Sequence, residues 1–579
     1  MESNPTASSH PTLRDEEKGV IDESVEKRLS DSAPPDYANS TAVHSSAAPS
    51  GRETPNEKGE DVIWGVVDES VEKRLSESSP PDYANSTAVH SSAAPSGRET
   101  PNEKGAGKED VFWVDFEPND PRMPMNYSRS KKWVMTIIAA GATFLCSAGV
   151  DAYSFGFESM MRDLNCTEFQ ATVGLSVYPL GFAVVPMFTA AFSEEFGRRP
   201  LYIVTSIGFA CMFILIALAP NIQAVIVGRF LQGAFSSTGA TMVGGTIADI
   251  WAGKDRGPPM AVFSLCAVFS MGVAGVAAGW IEENPNLGWK WIQWIQLILA
   301  GIYVFLVIFF LPETRATIVL HEIAKKKRKE TGDNRYKPKL SKLKVGRLIY
   351  ISCTRPLRLL ITEPVVTSFI SSQLWIGFCW GVLFCLIESV SGVFRTLHHF
   401  SVGQTGTAFV TVAIGSGIGA LTNMYQEKLY QKHYSKHGTE ARLFGAMLAA
   451  FLLPIGMFIY AWSSFSFVHW IALCIGIVLF MWGTFIVYCT VFSYLADCYG
   501  PYASSALAAQ SLFRNILGTV FPLFTQQMYR RLDYKWANTL FGCITILLMP
   551  IPFILFRYGP KIRMLSKFSR EALESGQAK

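Results

Sequence analysis

The chain has 579 residues, of which 49% are hydrophobic and only 17% charged, with a formal net charge of +4 and a mean hydropathy of +0.22. Soluble domains carry roughly 25% charged residues, and the first 130 residues here are polar, so the remainder is too apolar for a water-soluble globule. The 11 cysteines lack paired spacing and several (Cys146, Cys211, Cys266, Cys385, Cys474) sit inside apolar runs, so they read as small buried hydrophobes rather than a zinc site or a disulfide framework.

Residues 1–130 are rich in Ser, Pro, Ala and Glu and poor in aromatics. Such a stretch cannot bury enough apolar surface to offset its ordering entropy and is predicted to be a disordered cytoplasmic tail. It has no apolar leader, so no cleaved signal peptide is expected. It contains a near-exact duplication, 22–59 and 68–105, with too few copies to build a solenoid. Each copy carries a PPxY sequence, Pro34-Pro35-Asp36-Tyr37 and Pro80-Pro81-Asp82-Tyr83. A Pro-Pro step pre-sets polyproline II geometry and the Tyr fits a WW-domain groove. A WW-containing ubiquitin ligase is the expected partner, with Lys27, Lys58, Lys73 or Lys104 as the modified positions.

Twelve apolar stretches follow, at about 133–155, 170–192, 201–219, 222–249, 259–281, 290–311, 364–388, 405–424, 442–462, 467–493, 502–526 and 535–556. A hydrocarbon core about 30 Å thick needs roughly 20 apolar residues per helix, and it leaves no backbone polar group without an internal partner. The pattern predicts an all-α membrane protein of twelve transmembrane helices. It has an N-terminal six-helix bundle (131–311), a basic cytoplasmic linker (312–363), a second bundle (364–560) and a short tail (561–579). Two such halves outline a secondary transporter with its site between them.

Basic residues set the orientation. With a cytoplasmic N-terminus, the inner loops hold EEFGRRP at 194–200, AGKDRG at 252–257 and AKKKRKE within the long linker, the positive-inside pattern. The loop MYRRLDYK, 528–535, is basic yet falls on the outer side. Both termini are expected in the cytosol and the plasma membrane is the expected location. The sequon at Asn165 lies in the first outer loop and is a candidate glycan acceptor.

Charges within the membrane are costly and mark function. Asp151, late in span one, and Arg229, early in span four, fall at similar depth, where pairing would soften the cost of burying each; they read as a static pair, a snorkelling Arg near the interface, or a proton or substrate switch. Glu388, ending span seven, reaches either the headgroups or a similar switch. Arg514, mid-span in the eleventh stretch, is predicted to brace backbone carbonyls rather than to bind substrate. Trp289, Trp291 and Trp294 read as an interfacial belt, and Trp375, Trp380, Phe384, Trp482 and Tyr488 as mainly lipid-facing, some of them cavity-lining. No nucleophile–base pair, metal cluster or phosphate-cradling loop is present, so neither an enzyme, a metal, a cofactor nor a nucleic-acid partner is expected.

Several phrases carry a family likeness. SEEFGRRP (193–200) ends span two, GRFLQGAFSS (228–237) opens span four, GVAGVAAGW (272–280) lies in span five, and PETR (312–315) follows span six. LLITEP (359–364) precedes span seven and YGPYASSALAAQSLFRN (499–515) surrounds span eleven. With the six-plus-six layout, the chain resembles the major facilitator superfamily, and within it the fungal twelve-span drug:proton antiporter branch. The resemblance implies proton-driven export of small organic molecules by a monomer. It implies a proton-coupling role for Arg229 with Gln232, and a cytoplasmic gate at Glu194, Gly197, Arg198 and Arg199. Gly272, Gly275 and Gly279 form a small-residue helix-packing face. Where the antiporter pattern has Pro the chain has Val276, which leaves uniport or uptake of a polar metabolite such as a polyamine or organic acid open, as is a non-transporting sensor.

Overall fold

A computed structural model describes residues 112–117, 119–252, 255–339, 366–499 and 503–565, with isolated positions 350, 353, 354 and 357. The chain divides into two units, Met1–Ser78 and Ser79–Lys579, and every described residue belongs to the second. The duplicated PPxY segments lie outside the described residues, as do the side chains of Ala190, Ala191 and Glu194.

The first half is built from helices whose starts are written locally. Helix α1 (Arg129–Phe155) opens on Ser128, whose hydroxyl accepts from the Lys131 amide. A short α2 (Phe157–Leu164) ends on Asn165 in the left-handed conformation. Helix α3 (Glu168–Val184) opens with a reciprocal capping box between Thr167 and Gln170. It gives way to α4 (Pro186–Glu195) at Pro186, whose ring removes an N–H from the ladder. Then follow α5 (Arg198–Ala217), α6 (Ile222–Ile250, capped by Asn221), α7 (Gly257–Glu283) and α8 (Gly288–Phe310).

The second half repeats the scheme. It holds α10 (Val366–His398), α11 (Val402–Ala408), α12 (Val410–His437), α13 (Leu443–Trp462), α14 (Trp470–Tyr499), α15 (Ala503–Leu548) and α16 (Ile551–Leu565). Helix α11 opens with the same device as α3, a capping box between Ser401 and Gln404. Each box satisfies two backbone donors that a helix start otherwise leaves open. Both boxes start the second crossing of their half.

Among the described residues, nine helical stretches are long and apolar enough to cross a bilayer. Two of these, Val402–Trp462 and Ser505–Met564, each run through two predicted spans. The fourth predicted span coincides with α6, whose Arg229, Gln232 and many small polar residues dilute its hydropathy. Helix α15 is broken at Asp533 (φ 56°, ψ 162°), which divides the last two predicted spans. The basic loop there has a local reason: Arg530 pairs with Glu168 at 2.6 Å, so the charge that opposed the orientation rule has an acid facing it.

The linker is partly folded. After α8, helix α9 (Ala316–Thr331) leads to strand β2 (Tyr336–Pro338), which pairs in parallel with strand β1 (Phe112–Val114). Val114 buries against Leu320 and Ala324. Lys339 binds Asp115 at 2.7 Å and holds that carboxyl below its usual range. That contribution is therefore present at neutral pH and is lost as the solution is acidified past the lowered value. The expectation of disorder through residue 130 is thus corrected at 112–114, because the linker supplies the strand partner and apolar cover that the tail lacks.

In each half the fourth helix is central: α6 packs against α1, α3 and α5, and α14 against α12, α13 and α15. The halves meet where α7 crosses α11 and α12, and where α3 crosses α15. We call the end bearing the 193–200 turn the basic end, and its opposite the far end.

Candidate functional site

Arg229 and Asp151 are both fully buried, but they are not paired, contrary to the static-pair reading. The Arg229 Nη1 donates to the Gly149 carbonyl (2.8 Å) and to Gln232 Oε1 (2.7 Å), and Nε to the Gly174 carbonyl (3.3 Å). Its guanidinium lies over the rings of Tyr153 and Tyr178 at 4.2 and 4.5 Å. Carbonyl dipoles and ring faces thus replace the carboxylate as its counter-charge. Nη2 has no hydrogen-bond partner among the described residues, and neither does either Asp151 oxygen.

Asp151 instead faces the glycine face of α7. A methyl group placed on Gly275 would lie 2.9 Å from Asp151 Oδ2 and 2.8 Å from Phe409 Cβ. Gly272 faces the Ala413 amide, and Gly279 faces the Gly406 Cα and the Val402 carbonyl. The packing face predicted from these glycines therefore joins the two halves, backbone against backbone. It closes the far end, with Asp151 buried behind it.

Polar contacts flank this seal. Glu158 pairs with Arg395, and Glu168 with Arg530. Gln526 donates to Thr172 at 2.9 Å and the Gly403 amide to Glu283 at 2.9 Å. The two ion pairs are exposed, with side chains between 36% and 73% accessible. Such pairs contribute about 0.2–1 kcal/mol each, so the glycine contacts dominate the closure.

At the basic end the predicted gate residues are placed as follows. Gly197 holds φ 97°, which a side chain rarely adopts. The Glu313 carboxylate accepts from the Arg198, Thr314 and Arg315 amides at 2.9–3.0 Å and from the Arg199 amide at 3.1 Å. It thus sits where the α5 dipole favours an anion. Arg198 reaches Asp249, the last acid of α6, and Arg199 donates to the Ile308 carbonyl. The second half carries a counterpart that the sequence reading missed: Arg442, before α13, binds Asp497, near the end of α14, and Glu427. Arg563 binds Glu440 at 2.6 Å. A signal was present, since Ala-Asp ends the fourth helix of each half (248–249 and 496–497). Asp249→Asn, which removes the anion shared by Arg198 and Arg315, is expected to destabilise its half by about 2 kcal/mol, and Asp497→Asn, which leaves Arg442 with Glu427, by about 1 kcal/mol. Melting curves of the purified variants that overlay the parent curve would refute this.

Glu388 lies ten residues before the end of α10, and its oxygens are buried without a hydrogen-bond partner. The headgroup reading is corrected, because the helix runs on past the predicted span. No hydrogen bond from Arg514 to a carbonyl is found among the described residues; its Nε and Nη1 are without a partner there, and it lies among aromatic rings of α10 and α14. Trp289 is not part of a belt. It is 2% exposed and donates to Asp163 at 3.0 Å, whereas Trp291 is 44% exposed. Trp375, Trp380, Phe384 and Tyr488 are buried in the second bundle rather than facing lipid, and Trp482 donates to Thr422. Among the described residues, no group of acids, histidines and cysteines could hold a metal ion.

A bundle of membrane helices in two matching halves, with buried charges at their junction, is the layout of a membrane transporter. Residues 139–522 match the family model described as Major Facilitator Superfamily. The chain is 34% identical over 468 residues to the transporter paaT of Penicillium rubens, covering 80% of this chain and 84% of that one. It is 33% identical to the MFS-type efflux pump MFS2 of Trichophyton rubrum, covering 80% and 78%. The proton:xylose symporter XylE has the same fold, with a TM-score of 0.53 at 15% identity over 75% of this chain and 96% of that one. The chain belongs to the major facilitator superfamily.

Proposed function

We propose that this protein exports small organic molecules across the plasma membrane by exchange for protons, with twelve crossings and both termini in the cytosol. The observation that carries the coupling is a pair of groups unsatisfied among the described residues: the Asp151 carboxyl with no donor and the Arg229 Nη2 with no acceptor. Arg229 already grips the Gly149 carbonyl, two residues along α1. A small helix movement would bring guanidinium and carboxylate together and allow Asp151 to lose its proton. Relatives of similar length include a protein named as an efflux pump, which supports the outward direction. With the basic end in the cytosol, the sealed far end faces outside and the described state is inward-facing. Glu388, whose carboxylate oxygens are buried and without a partner among the described residues, is a second proton candidate.

The test is flux in proteoliposomes. An imposed pH gradient is expected to accelerate substrate efflux, and efflux that ignores the gradient would leave facilitated transport as the function. Asn165, exposed at the junction of α2 and α3, is the proposed glycan site. The PPxY motifs are proposed to dock a WW-domain ubiquitin ligase, two sites in one chain giving avidity. Tyr37→Ala with Tyr83→Ala is expected to lengthen surface residence several-fold in a pulse-chase measurement. An unchanged half-life would remove this role.

A further inference from the structure

Arg514 and Gln510 are one turn apart on α15 and so share a face. Arg514 is 6% exposed and Gln510 is fully buried. The Arg514 Nε and Nη1 and both amide atoms of Gln510 have no hydrogen-bond partner among the described residues. Trp380 from α10 lies 4.5 Å from the guanidinium, and Tyr488 and Phe492 from α14 lie at 5.3 and 5.9 Å. Trp380 and Tyr488 stack at 5.6 Å. The guanidinium therefore sits inside an aromatic wall built by two other helices.

Arg229 shows by contrast what a bracing arginine looks like here, with two backbone carbonyls and one amide oxygen taking its donors. Arg514 has no such set, and no carboxylate pairs with it among the described residues. Buried donors without acceptors are expensive, and a buried guanidinium without an anion more so. Helix α15, which carries Arg514, also crosses α3 of the first half. A central site is where a carrier of this fold takes its cargo.

We propose that Arg514 and Gln510, walled by Trp380, Tyr488 and Phe492, bind the carboxylate of an aromatic organic acid, whose ring stacks on the wall. The carboxylate supplies the missing anion to Arg514 and accepts from the Gln510 amide, and two buried arginines disfavour cationic cargo. This assignment rests on the transport reading and names its substrate class.

The experiment is equilibrium binding of 2-naphthoate and of its neutral methyl ester to the purified full-length protein in detergent. The parent protein is expected to bind the acid about tenfold or more tighter than the ester. Arg514→Gln is expected to erase that preference while keeping ester affinity, and Arg514→Lys to restore part of it. Gln510→Glu, which sets a fixed carboxylate beside the guanidinium, is expected to suppress acid binding in a chain that retains Arg514. The inference is overturned if the parent binds the ester as tightly as the acid, if it binds neither, or if either Arg514→Gln or Gln510→Glu leaves the preference intact. No gradient is applied, so a failure of proton coupling leaves this result readable. Gradient-driven flux without acid preference would sink the substrate class alone.

Discussion

Asp151→Asn is expected to abolish gradient-driven flux, a loss of about tenfold or more, while the carrier stays folded. The reason lies in the sealed far end. Asp151 is fully buried there, its oxygens have no donor, and Gly275 and Phe409 close over it. An ionised carboxylate in such a place costs several kcal/mol even after the protein relaxes. The sealed state therefore holds the neutral acid, and the charged form needs water or a cation. Opening the far end supplies water, and the free Nη2 of Arg229 supplies the cation. In the proposed exchange, proton uptake and release are thereby tied to which end is open. Asparagine has the shape of the neutral acid but cannot exchange a proton. Because the carboxyl makes no hydrogen bond in this state, its removal should leave the melting temperature nearly unchanged. Flux measured with and without a pH gradient decides the matter. Persisting gradient stimulation in Asp151→Asn would transfer the coupling role elsewhere, with Glu388 the next residue to replace.

The second large effect is expected at the glycine seam. Gly279→Leu should disfavour the closed far end and lower transport sharply, with Gly279→Ala intermediate. A methyl group on Gly279 would already lie 2.7 Å from the Gly406 Cα and 2.9 Å from the Val402 carbonyl oxygen. Both are backbone atoms, so nothing can rotate away and the helices must part. Overpacking of this kind costs typically 1–3 kcal/mol, which shifts a two-state balance by about five- to 150-fold. The flanking ion pairs are too exposed to restore it. Spin labels at Asn165 and His399, one on each half at the far end, should report a longer distance in Gly279→Leu. An unchanged distance distribution with unchanged flux would show that the seam is not what closes this end.

The helices were readable because each apolar run must satisfy its own backbone within lipid, so length and hydropathy suffice. The glycine face was readable for the same reason, since small residues at helical spacing have few other uses. The partners of those glycines were not, because nothing local to residues 272–279 specifies residues 402–413. The pairing of the buried charges was not readable. Arg229 found carbonyls and tyrosines, which carry no signature in a charge count. Trp289 looked like a belt residue by position, yet Asp163, 126 residues earlier, draws it inside. The second clasp, Arg442 with Asp497, escaped because it was sought by motif rather than by comparing the halves. The shared capping boxes, Thr167 with Gln170 and Ser401 with Gln404, show that such a comparison would have worked.

The seam between α7 and α11 also bears on what the carrier does while idle. At Gly279 and Gly406 main chain is pressed on main chain, so this stretch of the seam has no room for a side chain between the halves. If protons drive export as proposed, a resting molecule closed at this seam holds the gradient rather than dissipating it, and a cell could keep many copies at no standing cost.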